Sequence, residues 1–150
     1  MSRRLVMSIC VLMVLLFNGA GCGSSSSGEM VLAGIDLGEM LDGLLKRTMR
    51  TLSTVKDESS AQAAVMELTA INSDIDDLIY HAPKLSPAGQ AELSAKVAET
   101  LPTVQETTQY INSIRGLTNI LGPVMEDMVH KLTTLMAVGG PPPLKNEDVG

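Results

Sequence analysis

The sequence predicts an all-α protein, an antiparallel up-down bundle of four helices with three long helices and a shorter last one. Three observations carry this. Apolar residues recur at steps of three and four over several heptads, the period of a helix face. The chain has 2% aromatic residues, with no Trp and one Phe, so a core of Leu, Ile, Val, Met and Ala is available but the aromatic and β-branched runs of a sheet are not. Gly, Pro and short charged stretches fall between the periodic segments, and connections of a few residues make neighbouring helices antiparallel. A three-helix bundle with a poorly packed fourth segment is the alternative.

The periodic part begins near Met30. A first helix is expected over about Met30–Val55, with Leu37, Leu41, Leu44, Leu45, Leu52 and Val55 on one broad face and Met40 and Met49 at its edges. Gly34, Gly38 and Gly43 each weaken it by ~1 kcal/mol relative to Ala. After a charged turn at Lys56–Glu58, Ser59 stands three residues before Gln62, the capping-box spacing. The second helix is the clearest, with Ala61, Ala64, Leu68, Ile71, Ile75, Leu78 and Ala82 forming an unbroken seam that Pro83 ends.

Ser86-Pro87 starts the third helix as N-cap and first helical residue. Leu93, Val97, Leu101, Val104, Ile111 and Ile114 form its face. Val97, Val104 and Ile111 keep a seven-residue spacing across Pro102, so the proline predicts a kink rather than a break. Thr107 and Thr108 make a polar layer. Gly116 is the expected glycine cap. The fourth helix carries Leu121, Met125, Met128, Leu132 and Leu135 and starts near Thr118, or at Gly122 with Pro123 as its first helical residue. Gly139-Gly140 ends it, and residues 139–150 read as a Pro-rich disordered tail.

What precedes the bundle has a different character. Arg3 and Arg4 lead into the apolar run Leu5–Phe17, thirteen residues long. As a helix that run reaches roughly 20 Å, short of the ~30 Å hydrocarbon core. Small residues follow at Gly19, Ala20 and Gly21, then Cys22. Positive charge, apolar run and small residues in that order describe a secretory signal rather than a membrane span. Gly19-Ala20-Gly21-Cys22 resembles the lipobox of bacterial lipoproteins, departing from it at Gly19, where that family prefers leucine. The resemblance implies cleavage between Gly21 and Cys22, a diacylglycerol on the Cys22 thiol and acylation of the new amine. It divides the chain into a signal peptide (1–21), a lipidated Cys22 with a Ser-rich tether (22–29), the bundle (30–138) and the tail (139–150). The residue after the cysteine is Gly23, not the Asp that retains such proteins at the inner membrane, which implies the outer membrane where a cell has one. Read from the residues alone, an ordinary secreted protein cut near Ala20 or Gly21, with a free Cys22, stays open. The stretch VKDESSAQAAVMELTAIN is similar to helical segments of planctomycete-type lipoproteins, a likeness that implies no activity.

Charge and residue types narrow the function. Without Arg3 and Arg4, nine basic residues face seventeen acidic ones, a net charge of −8. That opposes nucleic-acid binding, which needs a basic footprint, and opposes electrostatic attachment to anionic lipid. Cys10 lies in the signal and Cys22 is the anchor, so no thiol is left for a disulfide, a zinc site or nucleophilic catalysis. Gly-x-Ser-x-Gly and phosphate-loop patterns are absent. No enzyme and no cofactor are expected.

Several groupings bear on chemistry. Asn72, Asp74, Asp76 and Asp77 stand near His81, but a calcium loop counted from Asn72 would place Asp77 and Pro83 where glycine and glutamate are needed. Glu67, Asp74 and His81 are seven apart beside the seam, and such charge runs are usually solvated stripes. Asp127 and His130 have carboxylate-x-x-histidine spacing, but on the side of the helix away from Met125, Met128 and Leu132, so no metal site is expected. Haem lacks an inward histidine or a Cys-x-x-Cys-His motif. Met66 lies off the seam and is a contact candidate, whereas Met125 and Met128 read as core filler. The expected interaction face is therefore Met66, Glu67, Asp74, Asp76, Asp77 and His81. The leading expectation is a non-enzymatic, lipid-anchored cell-envelope protein that binds an envelope protein partner. The alternative is a periplasmic small-ligand or metal carrier.

Overall fold

The computed structural model describes residues 30–32 and 35–140. The signal peptide, Cys22, the tether and residues 141–150 of the tail lie outside the described residues. The fold is all-α, with helices α1 (Leu37–Ser53), α2 (Glu58–His81), α3 (Pro87–Ser113) and α4 (Thr118–Val138). A 3-10 turn, Ala82–Lys84, follows α2. Two short antiparallel strands, β1 (Val31–Leu32) and β2 (Ile35–Asp36), precede α1, with Val31 facing Asp36 and Leu32 facing Ile35.

The hairpin corrects the expected first helix, which begins at Leu37 rather than near Met30. Asp36 fixes that start, because its Oδ1 accepts hydrogen bonds from the backbone N–H of Gly38 at 2.9 Å and Glu39 at 3.0 Å. These are two of the orphan donors that every helix N-terminus presents. Met30 is buried and its thioether lies on Gly38, where an added Cβ would come within 2.6 Å of Met30 Cε. The shortest helix is consequently α1, with 17 residues, and not α4, with 21.

The cap of α2 also differs from the expected Ser59–Gln62 pair. Asp57 is the N-cap and Ser60 the third helical residue. The Ser60 N–H donates to Asp57 Oδ1 at 2.8 Å, and the Asp57 N–H donates to Ser60 Oγ at 3.0 Å. Those hydrogen bonds hold the Asp57 carboxyl below its ordinary pKa of 3.8. The third helix runs unbroken through Pro102, and Ser86 caps it as expected. The fourth starts at Thr118 and takes Pro123 into its interior. Between them Gly116 supplies a positive φ of 97° within the turn, a backbone conformation that costs glycine nothing.

The extensive pairings are α3 with α4, α2 with α4 and α1 with α2. Ser94 bonds to Met136 and Asn112 to Glu126, so α3 and α4 run antiparallel. Asn72 bonds to Val124 and Asp76 to Lys131, so α2 and α4 run parallel. A four-residue link joins α1 to α2, and two helices packed side by side over so short a link run antiparallel. The α2 seam is buried from Ala61 to Leu78, and Met125, Met128, Leu132 and Leu135 of α4 are fully enclosed. Thr48, Thr107 and Thr108 are buried with their hydroxyls bonded to carbonyls of their own helices. That satisfies polar groups which would otherwise be costly in a core.

Candidate functional site

The acidic side of α2 is built by its register. Seam residues face inward, so Glu67 and Asp74 flank the seam on one side and Asp76 on the other. The structure gives each a cation from a different helix. Arg47 of α1 donates through Nε and Nη2 to Glu67 Oε1 at 3.1 and 2.8 Å, and through Nη1 to Asp74 Oδ2 at 2.7 Å. Hydrogen bonds to Glu67 and then Asp74 outweigh burial and raise the guanidinium above its ordinary pKa. Glu67 and Asp74 are thus interhelical tie points.

Across the seam, Lys131 of α4 donates to Asp76 Oδ2 at 2.7 Å and to the Asn72 carbonyl at 3.1 Å, and lies 3.3 Å from Asp127 Oδ2. Burial opposes its charge, but hydrogen bonds to Asp76 and Asp127 prevail and raise the ammonium above 10.5. Asn72, 3% exposed, donates its amide to the Val124 carbonyl at 2.9 Å and to Asp127 Oδ2 at 2.8 Å. Together these side chains line an open groove of about 400 Å³ between α2 and α4. The position that a cation would take between Asp76 and Asp127 is held by the Lys131 ammonium.

Asp127 therefore turns toward α2, while His130 is exposed, and the two do not share a site. Among the described residues, no group of three or more His, Cys, Asp or Glu is placed to hold a metal ion. No described helix is long and apolar enough to cross a membrane.

Met66 and Asp77 lie on a third side of α2, facing solvent. Met66 is 80% exposed, and Ala70, Ser73 and Asp77 continue its line at steps of four and three to Tyr80, 67% exposed. Tyr80 stacks edge-on with half-buried His81 at 5.0 Å, and Lys84 Nζ sits 3.5 Å from the centre of its ring. Sequence reasoning missed Tyr80, although its spacing from Met66 puts it on the same helix face. It also missed Arg47 and Lys131. For Lys131 the signal was present, since it stands four residues after Asp127 on one helix.

Compared with known proteins, the chain matches no family model, no curated protein and no solved structure. Fold and surface together define an all-α domain with two carboxylate–cation networks between helices and a solvent-facing line from Met66 to Tyr80.

Proposed function

We propose that this chain is a lipid-anchored cell-envelope protein, at the outer membrane where the cell has one, and that its helical domain acts without catalysis as a structural or protein-interaction module. The observation that carries the reading is the order of Arg3 and Arg4, the apolar run Leu5–Phe17, the small residues and Cys22. The cysteine stands where an acyl anchor would be attached, and two or three acyl chains give the stable membrane attachment that one does not. The domain supports the module role through its surface. Its flanking carboxylates are engaged with Arg47 and Lys131, so a partner meets Met66, Asp77 and Tyr80 before it meets a free acidic stripe. The carrier alternative would have to use carboxylates that already have cations, or an interior filled by Met125, Met128 and Leu132.

The test is made in intact cells. Cys22→Ser should abolish lipid labelling and move the protein from the membrane to the soluble fraction. A photo-crosslinker at Met66 should give one discrete protein adduct, and one at exposed Glu99 of α3 should not. Membrane retention of the processed Cys22→Ser protein would remove the anchor from the reading. Adducts of equal pattern from both sites would remove the interaction face.

A further inference from the structure

The methionines beyond Cys22 fall into three environments. Met30, Met125 and Met128 are enclosed, at 1%, 0% and 0% exposure. Met40, Met49 and Met136 are half-buried. Met66 is 80% exposed. Two of the enclosed sulfurs are also engaged. The Met30 thioether lies on Gly38, and the Thr48 hydroxyl donates to Met128 Sδ at 3.8 Å. Around Met66 the helix offers little cover, because Ala63 and Ala70, one turn before and after it, are exposed one-carbon side chains.

A thioether is the oxidisable group left to a domain whose sequence from Met30 to Gly150 contains no cysteine, and oxidation follows exposure. We propose that Met66 is the site at which hydroperoxides modify this domain, and that its oxidation releases the partner from the solvent-facing line of α2. The release rests on the interaction face proposed above. In the modification, the Met66 sulfur gives an electron pair to one peroxide oxygen. The S–O bond forms as the O–O bond breaks. Sulfur is oxidised by two electrons, the peroxide is reduced, and from hydrogen peroxide the second product is water.

The sulfoxide turns an apolar tip into a polar one. At Met66 the new oxygen stays in water, so the helix and the core are untouched. Under a bound partner the same oxygen would have to give up its water, and a polar group buried without a new hydrogen bond is costly. At Met125 or Met128 it would sit inside the core. Enclosure of those residues therefore protects the fold, while the exposed Met66 leaves the contact open to the oxidant.

The experiment treats the processed full chain with hydrogen peroxide and follows each methionine by peptide mass spectrometry. Met66 sulfoxide should form at least about tenfold faster than that of Met125 or Met128, and faster than that of Met40, Met49 or Met136. In urea the rates should converge. Circular dichroism and thermal unfolding should not change while Met66 alone is oxidised. In intact cells, a photo-crosslinker at Ala70 on the same line reads the contact. Brief peroxide treatment should remove the adduct from the parent and spare it in Met66→Leu, which keeps an apolar side chain and has no sulfur. Equal rates for all the methionines of the folded chain overturn the modification site. A parent adduct that survives oxidation of Met66, or an adduct lost equally from Met66→Leu, overturns the release and leaves the interaction face standing. No Ala70 adduct before peroxide overturns the face and the release together.

Discussion

Lys131 shows how a single residue decides what a site can be. Asp76 and Asp127 come from different helices, and without a cation their charges would repel across the groove. The ammonium lies 2.7 Å from one and 3.3 Å from the other. Lys131→Met keeps the aliphatic stem and removes the charge. It should lower stability by about 1 kcal/mol, the upper range for pairs with half-exposed carboxylates. The pH dependence follows from the raised ammonium. A group whose folded pKa lies above its unfolded value contributes fully below the unfolded value, here 10.5, and loses the contribution as pH rises through the folded value. The gap between parent and variant in urea unfolding should therefore be constant from neutral pH up to 10.5 and close above it. A gap that persists undiminished at higher pH would mean that the ammonium charge is not its source. Asp57 has the opposite sign. Its lowered carboxyl contributes above 3.8 and ceases to as pH falls through the lower folded value. These pairings were only partly legible in the sequence. The acidic residues were, and so was the outward placement of His130, but the cations lie 20 to 55 positions away, and one-dimensional periodicity carries no information about which faces meet.

At the scale of the element, the second helix was the most legible, because every seam position from Ala61 to Ala82 is buried. The start of α1 is less legible. Three glycines weaken the expected longer helix, whereas Asp36 with Glu39 three residues on is a cap signal. The chain before it needed a hairpin that two-residue strands cannot announce by alternation. That Pro102 does not break α3 is legible in the seven-residue spacing kept across it. Pro102 lies on the exposed side of α3, as does Ala98 four residues back, and a proline on the solvent side of a helix crowds no core packing. Pro102→Ala restores an N–H at a position able to complete the helix ladder, and should stabilise the protein by about 1–3 kcal/mol, at or below the usual interior cost of proline. Thermal unfolding of the two forms measures it. No gain, or a loss, would show that Pro102 itself helps to lay α3 along α4.

At the scale of the whole molecule, the four helices share one core. Leu68 and Ile75 are 0% and 1% exposed at the middle of α2, and α2 packs on both α1 and α4. A cavity at either position is felt by three helices at once. Leu68→Ala and Ile75→Ala should each cost about 2–5 kcal/mol, the range for large buried aliphatic side chains. Asp74→Ala removes one acceptor from a half-exposed guanidinium and should cost less than about 1 kcal/mol. Met66→Ser, on the solvent line, should change stability by no more than about 0.5 kcal/mol. Because one core serves every helix, urea unfolding should be a single transition by helicity and by tyrosine fluorescence, with the same slope in all four variants. A second transition in Leu68→Ala would mean that α3 and α4 keep a core of their own. Truncations as mild as Asp74→Ala would mean that the seam can collapse around the loss. The Met66→Ser result then separates structure from role. A variant that unfolds like the parent yet loses the Met66-directed adduct has lost only surface, and the solvent-facing line of α2 is what its partner touches.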